Sequence, residues 1–218
     1  MNFIRLKKAS AVLMLFASCL VNQASASLIE IQPISYVFDQ FTDRGTYEYH
    51  DVTGNELTDG LYGADNWRLD LGSGHADEWV GWVEKPVVNI DFTLKADDVI
   101  KLISIGSVQD SGSGIALPNI SIFSRNTTQD SWRFLNQELV PYSAGNNGSH
   151  RIYDFDGLSI TDQFVRIQAN WSLNGRWTFI DEVDFYTSDI NVPEPSTFAI
   201  FALGIMGLAA RRLTKPRK

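Results

Sequence analysis

Val87-Val88-Asn89-Ile90-Asp91-Phe92-Thr93-Leu94 is the stretch on which the fold turns. Apolar residues occupy 88, 90, 92 and 94, and polar ones occupy 89, 91 and 93. A period of two puts one set on a buried face and the other toward water, which is the pattern of a strand and not of a helix. The stretch ends at Lys95-Ala96-Asp97-Asp98, a turn-forming group. Working outward, Val99 to Ile105 is β-branched and stops at Gly106. Asn119 to Ser124, Phe164 to Ala169 and Trp177 to Tyr186 repeat the strand pattern. Upstream, Leu28 to Phe41 holds a first strand interrupted by Pro33, and Asp130 to Leu135 reads as a short helical turn. Many short strands with turn residues between them predict an all-β fold, an antiparallel sandwich or barrel.

The two ends of the 218-residue chain differ from this middle. Residues 1–26 read as a secretory signal helix: Arg5, Lys7 and Lys8, then apolar Ala11 to Ala17, then the small-residue site Ala24-Ser25-Ala26. The β domain is assigned to residues 27–189. The sole cysteine, Cys19, lies in the signal, so the domain has no disulfide, thiolate metal site or cysteine nucleophile. Of the 26 acidic residues 25 fall within 27–193, against 10 of the 18 basic ones, a net charge of −15. Such a domain repels a phosphate backbone, so no nucleic acid is expected as a partner. The charge suits cations or neutral ligands.

The tail, residues 190–218, has three parts: Val192-Pro193-Glu194-Pro195, an apolar run from Phe198 to Ala210, and basic Arg211, Arg212, Lys215, Arg217 and Lys218. The prolines keep the entry extended. Thirteen residues of helix reach about 20 Å, short of a hydrocarbon core of about 30 Å. The basic end matches the positive-inside rule, with the domain on the far side of the membrane. This three-part order resembles the PEP-CTERM sorting signal. The resemblance implies export through Sec in a Gram-negative bacterium, retention in the inner membrane by a short hydrophobic helix, and processing there by an exosortase. The processed protein would reach the cell surface or the extracellular matrix.

Within the domain, Glu56-Leu57-Thr58-Asp59-Gly60 is a turn with Trp67 downstream, Trp79-Val80-Gly81-Trp82 precedes the alternating strand, and Arg176 to Tyr186 closes the chain of strands. With the turn Gly114-Ile115-Ala116-Leu117-Pro118 between them, this ordered set resembles the discoidin-like, galactose-binding-like jelly roll. The resemblance spans about Tyr47 to Tyr186. It implies a single antiparallel β-sandwich and a structural Ca²⁺ held by Asp59 and Glu182, with backbone oxygens from Leu57 and Thr58. An all-oxygen donor set suits that hard cation. On the plainer reading Asp59 caps its turn and Glu182 is a solvated strand residue.

Six tryptophans offer ring faces for sugars. Trp171, in the amide-rich Asn170-Trp171-Ser172-Leu173-Asn174-Gly175, is the first ligand candidate, with Asn170 and Asn174 supplying hydrogen bonds. Trp79, beside Asp77 and Glu78, is the second. Trp82 and Trp177, within apolar strands, are assigned to the core. His50, His75 and His150 lack metal-ligand spacing, and neither a zinc-protease nor a nucleophile-elbow motif occurs. These features lead to a non-catalytic module that binds extracellular polysaccharide. The alternatives are a structural matrix protein without a small-ligand site and a glycan-processing enzyme using two carboxylates.

Overall fold

Alternation in the sequence becomes, in the computed structural model, ten strands among the described residues, in two antiparallel sheets. The structure describes residues 27–40, 49–51, 53–64, 66–70, 78–140, 147–171 and 175–188. The strands are β1 (Leu28–Ile31), β2 (Ser35–Phe38), β3 (Val80–Val83), β4 (Val87–Thr93), β5 (Ile100–Asp110), β6 (Asn119–Arg125), β7 (Arg133–Glu138), β8 (Asn147–Phe155), β9 (Phe164–Asn170) and β10 (Trp177–Ser188). Sheet A runs β1-β10-β5-β8, with β3 also paired to β10; sheet B runs β2-β4-β9-β6-β7. Residues 1–26, where a signal helix is expected, and the tail 190–218 lie outside the described residues. Among the described residues no helix is long and apolar enough to cross a membrane.

The deciding stretch behaves as its alternation requires. Val88, Ile90, Phe92 and Leu94 are buried, while Asn89, Asp91 and Thr93 are not. They meet Ile103, Ile105, Val183 and Phe185 of the opposite sheet in the inter-sheet core, where Phe92 and Phe185 pack with ring centroids 5.0 Å apart. Each such side chain contributes about 1.5–3 kcal/mol by leaving water.

Three expectations are corrected. The first strand is two strands: the break at Pro33 sends β1 to sheet A and β2 to sheet B. The chain does not stop at Gly106, because β5 continues to Asp110. Asp130 to Leu135 is not helical; it is a bend leading into edge strand β7. Strands β7 and β8 do not read as clean alternations because apolar side chains, Phe134 and Ile152, are exposed on them.

The last strand organises sheet A. One edge of β10 pairs with β5. Its other edge pairs with β3 over Trp177–Ile180 and with β1 over Phe185–Ser188. Between these partners the gap is closed by a turn, where the Val183 N–H donates to the Leu57 carbonyl at 2.9 Å. Opposite the same gap β10 is bulged, since Ile180 pairs with Ser107 but the next paired residue, Val183, meets Ile105. A bulge adds a residue and re-aims side chains. Here it places both Asp181 and Glu182 off the core-facing rhythm.

Candidate functional site

The outer face of sheet A is not left to solvent. Val108 of β5 and Phe179 of β10 point outward and are apolar, so they need a cover. Residues before β3 supply it: Tyr49, Trp67 and Trp79 pack there with Ile115 in a second apolar cluster. The segment is held by backbone bonds, such as Gly81 N–H to the Tyr49 carbonyl at 3.0 Å. Trp79 is fully buried and meets His150 and Phe179 edge-on or tilted.

The cover does not close completely. It leaves a cavity of about 310 Å³ lined by Tyr49, Trp67, Ser113, Ile115, Trp177 and Phe179. Tyr49 and Trp67 come from the covering segment. Ser113 ends a short 3₁₀ turn after β5, and Trp177 opens β10. The loop is fastened to β10 where Arg176 and Trp177 donate to the Gly114 carbonyl at 2.5 and 3.0 Å. A volume of this size is at the lower end for a small-ligand site.

One side of the cavity has a fixed polar network. The Trp67 indole N–H donates to Asp110 at 3.0 Å, and the Arg68 guanidinium lies 2.9 Å from the same carboxylate oxygen. Arg68 also donates to the Ser113 hydroxyl and sits 5.0 Å over the Trp67 ring. Burial works to raise the Asp110 carboxyl, but the Trp67, Ser113 and Arg68 contacts outweigh it and hold it below the usual aspartate range. Asp110 thus orients both Trp67 and Arg68.

A second group sits along the bulge of β10. Asp181 is fully buried and accepts from Gly63 N–H at 2.8 Å and Glu182 N–H at 2.9 Å. His150 Nε2 lies 2.8 Å from Asp181 Oδ2. A Cβ at position 106 would collide with the Asp181 carboxylate, so only glycine leaves room for this pair. Glu182 Oε2 accepts from Gly60 N–H at 3.1 Å, whereas Oε1 is buried with no hydrogen-bond partner among the described residues. Burial, then the charge of Asp184, push the Glu182 carboxyl up to about 8, and Asp59 acts in the same direction. Burial also raises Asp184, against the hydroxyls of Tyr62 and Tyr186 that donate to it.

A group of carboxylates in and near the 56–60 turn could hold a hard cation. Asp59 lies in the turn that closes against β10, with Gly60 at φ +81°. Asp59, Glu56 and Glu78 can each bring one carboxylate oxygen within 4.8 Å of the others. The uncompensated Glu182 Oε1 is the kind of atom an ion would satisfy. Glu56 and Glu78 were not read as ligands from the sequence, and Glu78 reaches the group only through the fold.

The sequence-derived ligand candidates are not gathered in one place. Trp79 belongs to the buried cover of sheet A, and with no exposed ring it has no face for a sugar; its burial corrects its assignment as a stacking residue. Asn170 ends β9 in sheet B, where its amide approaches Gln168 at 3.5 Å. Trp171 follows it, partly buried, with its N–H donating to the Pro86 carbonyl at 2.9 Å and its indole Nε1 buried without a hydrogen-bond partner among the described residues. Asn174 lies outside the described residues, as do Val192, Pro193, Glu194 and Pro195. Trp82 is core as expected, at 1% exposure. Trp177 is not: it is half-buried and forms a cavity wall. Tyr49, Trp67 and Ser113 were missed as a site because they converge from separate segments.

Residues 191–213 match the PEP-CTERM protein-sorting motif. A sequence comparison with curated proteins gives no significant match. Among solved structures, the chain is similar to a truncated AlyQ with CBM32 and alginate lyase domains, at 14% identity and TM-score 0.49, covering 78% of this chain and 36% of that one. It is similar to a pectin-binding carbohydrate-binding module at 15% identity and TM-score 0.46, covering 78% and 96%. It is also similar to the family 32 CBM of Clostridium perfringens NanJ in complex with galactose, at 15% identity and TM-score 0.44, covering 73% and 99%.

Proposed function

We propose that this protein is a sorted, exported module that binds a neutral carbohydrate in the aromatic cavity on sheet A. The observation that carries this reading is the cavity itself: four aromatic side chains and a serine hydroxyl, beside a fixed Arg68–Asp110 pair. Aromatic surface takes up sugar C–H groups, and a few placed polar groups orient the hydroxyls. The strongly acidic domain favours an uncharged ligand over an anionic one. The sorting motif supports delivery by Sec and processing by an exosortase at the inner membrane, with extracellular polysaccharide as the partner at the surface.

The reading is non-catalytic. The two carboxyls with raised pKa on β10, Glu182 and Asp184, are 1% and 5% exposed and do not line the cavity. The role of Glu182 is structural: together with Asp59, whose carboxylate groups with those of Glu56 and Glu78, it holds a Ca²⁺ ion that fastens the 56–60 turn into the gap beside β10. The ion supplies compensating charge there.

Affinity electrophoresis through gels containing neutral polysaccharides tests the binding reading. Retardation of the wild-type chain and its loss in Trp177→Ala are the expected outcome. Equal retardation of the two proteins would contradict it.

A further inference from the structure

Two exposed patches on opposite faces of the sandwich match each other. The first lies on the outer face of sheet B, at its β7 edge. Over β4 and β9 that face pairs laterally, Asp91 with Arg166 and Asn89 with Gln168. Over β6 and β7 it carries aromatic side chains instead. Phe123 and Phe134 meet edge to face with centroids 5.6 Å apart, and Phe134 is 55% exposed. Beside them the Arg125 guanidinium lies 4.2 Å from the centre of the Trp132 ring and 5.6 Å from that of Phe164. It donates to the Thr128 carbonyl at 3.1 Å. Arg68, Arg133, Arg151, Arg166 and Arg176 each have a carboxylate partner. Among the described residues Arg125 has none.

The second patch is on the outer face of sheet A, in its acidic half. Leu61 and Tyr62 follow the 56–60 turn and are 54% and 43% exposed. The Tyr62 hydroxyl donates to Asp184, which fixes the side chain over β10. Strand pairing sets Glu30 beside Tyr186, and sets Asp154 on the same row as Asp184 with Ser104 between them. Their charge is uncompensated: burial, then Asp184 and Glu30, push the Tyr186 hydroxyl up to about 12, and Asp154 acts the same way. An exposed Phe134 beside a carboxylate-free arginine thus has its complement in an exposed Leu61 and Tyr62 among surplus carboxylates. Aromatic side chains and arginine are the types enriched where proteins meet.

We propose that this protein assembles head to tail, with the Leu61–Tyr62 patch of one copy seated on the Phe134–Arg125 patch of the next. The occupant of each patch is a second copy of this chain. The two patches differ and lie on opposite faces, so the contact is heterologous and builds open rows instead of closed pairs. A domain of net charge −15 repels its own copies in general, and only a local contact of opposite charge and matching apolar surface overcomes this. The assembly goes beyond the carbohydrate reading and does not rest on it, since neither patch contains a wall of the cavity.

Full-length wild type, Phe134→Glu and Leu61→Glu, in the same mild detergent and without sugar, are followed by sedimentation velocity over a concentration series. The wild-type average sedimentation coefficient is expected to rise with concentration and to pass the two-copy value. Each variant alone is expected to stay at the smallest species. Both substituted side chains are more than half exposed, so melting temperatures stay within a few degrees of wild type. Mixed in equal amounts, the two variants are expected to form a two-copy complex and nothing larger. Phe134→Glu keeps a working Leu61 patch, and Leu61→Glu keeps a working Phe134 patch. Arg125→Gln is expected to weaken wild-type association severalfold, and the wild-type association is expected to weaken as salt rises. A wild type that never associates, or variants that stay separate when mixed, would overturn the proposal. So would growth that persists in either variant, as it would if the apolar tail drove it, or undiminished association of Arg125→Gln. Each of these results would leave the carbohydrate reading standing.

Discussion

Across the outer face of sheet B, Arg166 of β9 donates to both oxygens of Asp91 on β4, at 2.6 and 2.8 Å, and Gln168 donates to Asn89 at 2.9 Å. These partners lie on adjacent strands in register, so the face satisfies itself laterally. Across the outer face of sheet A, Phe179 and Val108 are apolar, and Asp181, Glu182 and Asp184 are carboxylates with few neighbours of opposite charge. That face needs something laid over it. The residues before β3 provide aromatic side chains for the apolar half and backbone N–H groups from Gly60 and Gly63 for the acidic half. A polar sheet face that pairs within itself has no reason to acquire a site. A face that depends on a cover acquires one wherever the cover is incomplete. Here it is incomplete at the cavity and at Glu182 Oε1.

The largest expected effects lie under the cover. Asp181→Ala removes the acceptor for two backbone N–H groups and the neighbour of His150, and is expected to cost about 3–5 kcal/mol in chemical denaturation. A loss below about 1 kcal/mol would mean the covering segment does not depend on that carboxylate.

Glu182 gives the next effect, and it depends on pH. Its folded pKa of about 8 lies above the ordinary glutamate value of 4.5, so the folded state holds the proton more tightly than the unfolded one. That stabilisation is complete below pH 4.5 and is lost as pH rises through 8. In chelator, melting temperature is expected to fall between pH 5 and 8 by the equivalent of about 2–3 kcal/mol, and Glu182→Gln is expected to flatten the fall. Millimolar Ca²⁺ at pH 8 is expected to restore the stability, because the ion needs the ionised carboxyl. A chelator-insensitive melting curve would remove the ion from the account.

Smaller again is the cavity. Trp177→Ala is expected to weaken carbohydrate binding by tenfold or more, with little change in fold, since Trp177 is half-buried. On the other face, Arg166→Ala breaks the bidentate pair with Asp91. Both side chains are about a quarter exposed, and the change is expected to cost about 1 kcal/mol or less in stability. It should leave binding untouched.

Much of this fold can be read from the chain, because a period of two states which residues face inward. Val88, Ile90 and Phe92 declare their face, and so do Val165 and Ile167. The cover does not declare itself. Residues 49–70 have no period, since their contacts are set by what they lie upon. Glu182 was singled out as a candidate ion ligand only through the order of motifs. Its bulge was not, because a bulge is a register difference between β10 and β5 and exists in neither strand alone. Trp177 looked like a core residue because β10 is apolar throughout that end. Its neighbours Tyr49, Trp67 and Ser113 come from far along the chain, and only the sheet order brings them together. Trp171 and Asn170 looked like a site because amides and a tryptophan adjoin in sequence, but Trp79 sits on the opposite sheet's outer face.

The covered face is expected to bind the ligand and the self-paired face is not. A single titration series with one retained neutral polysaccharide compares wild type, Trp177→Ala and Arg166→Ala under identical salt and pH. Wild type and Arg166→Ala are expected to bind alike, with Trp177→Ala reduced tenfold or more. Loss of binding in Arg166→Ala with full binding in Trp177→Ala would place the ligand on sheet B and contradict the account.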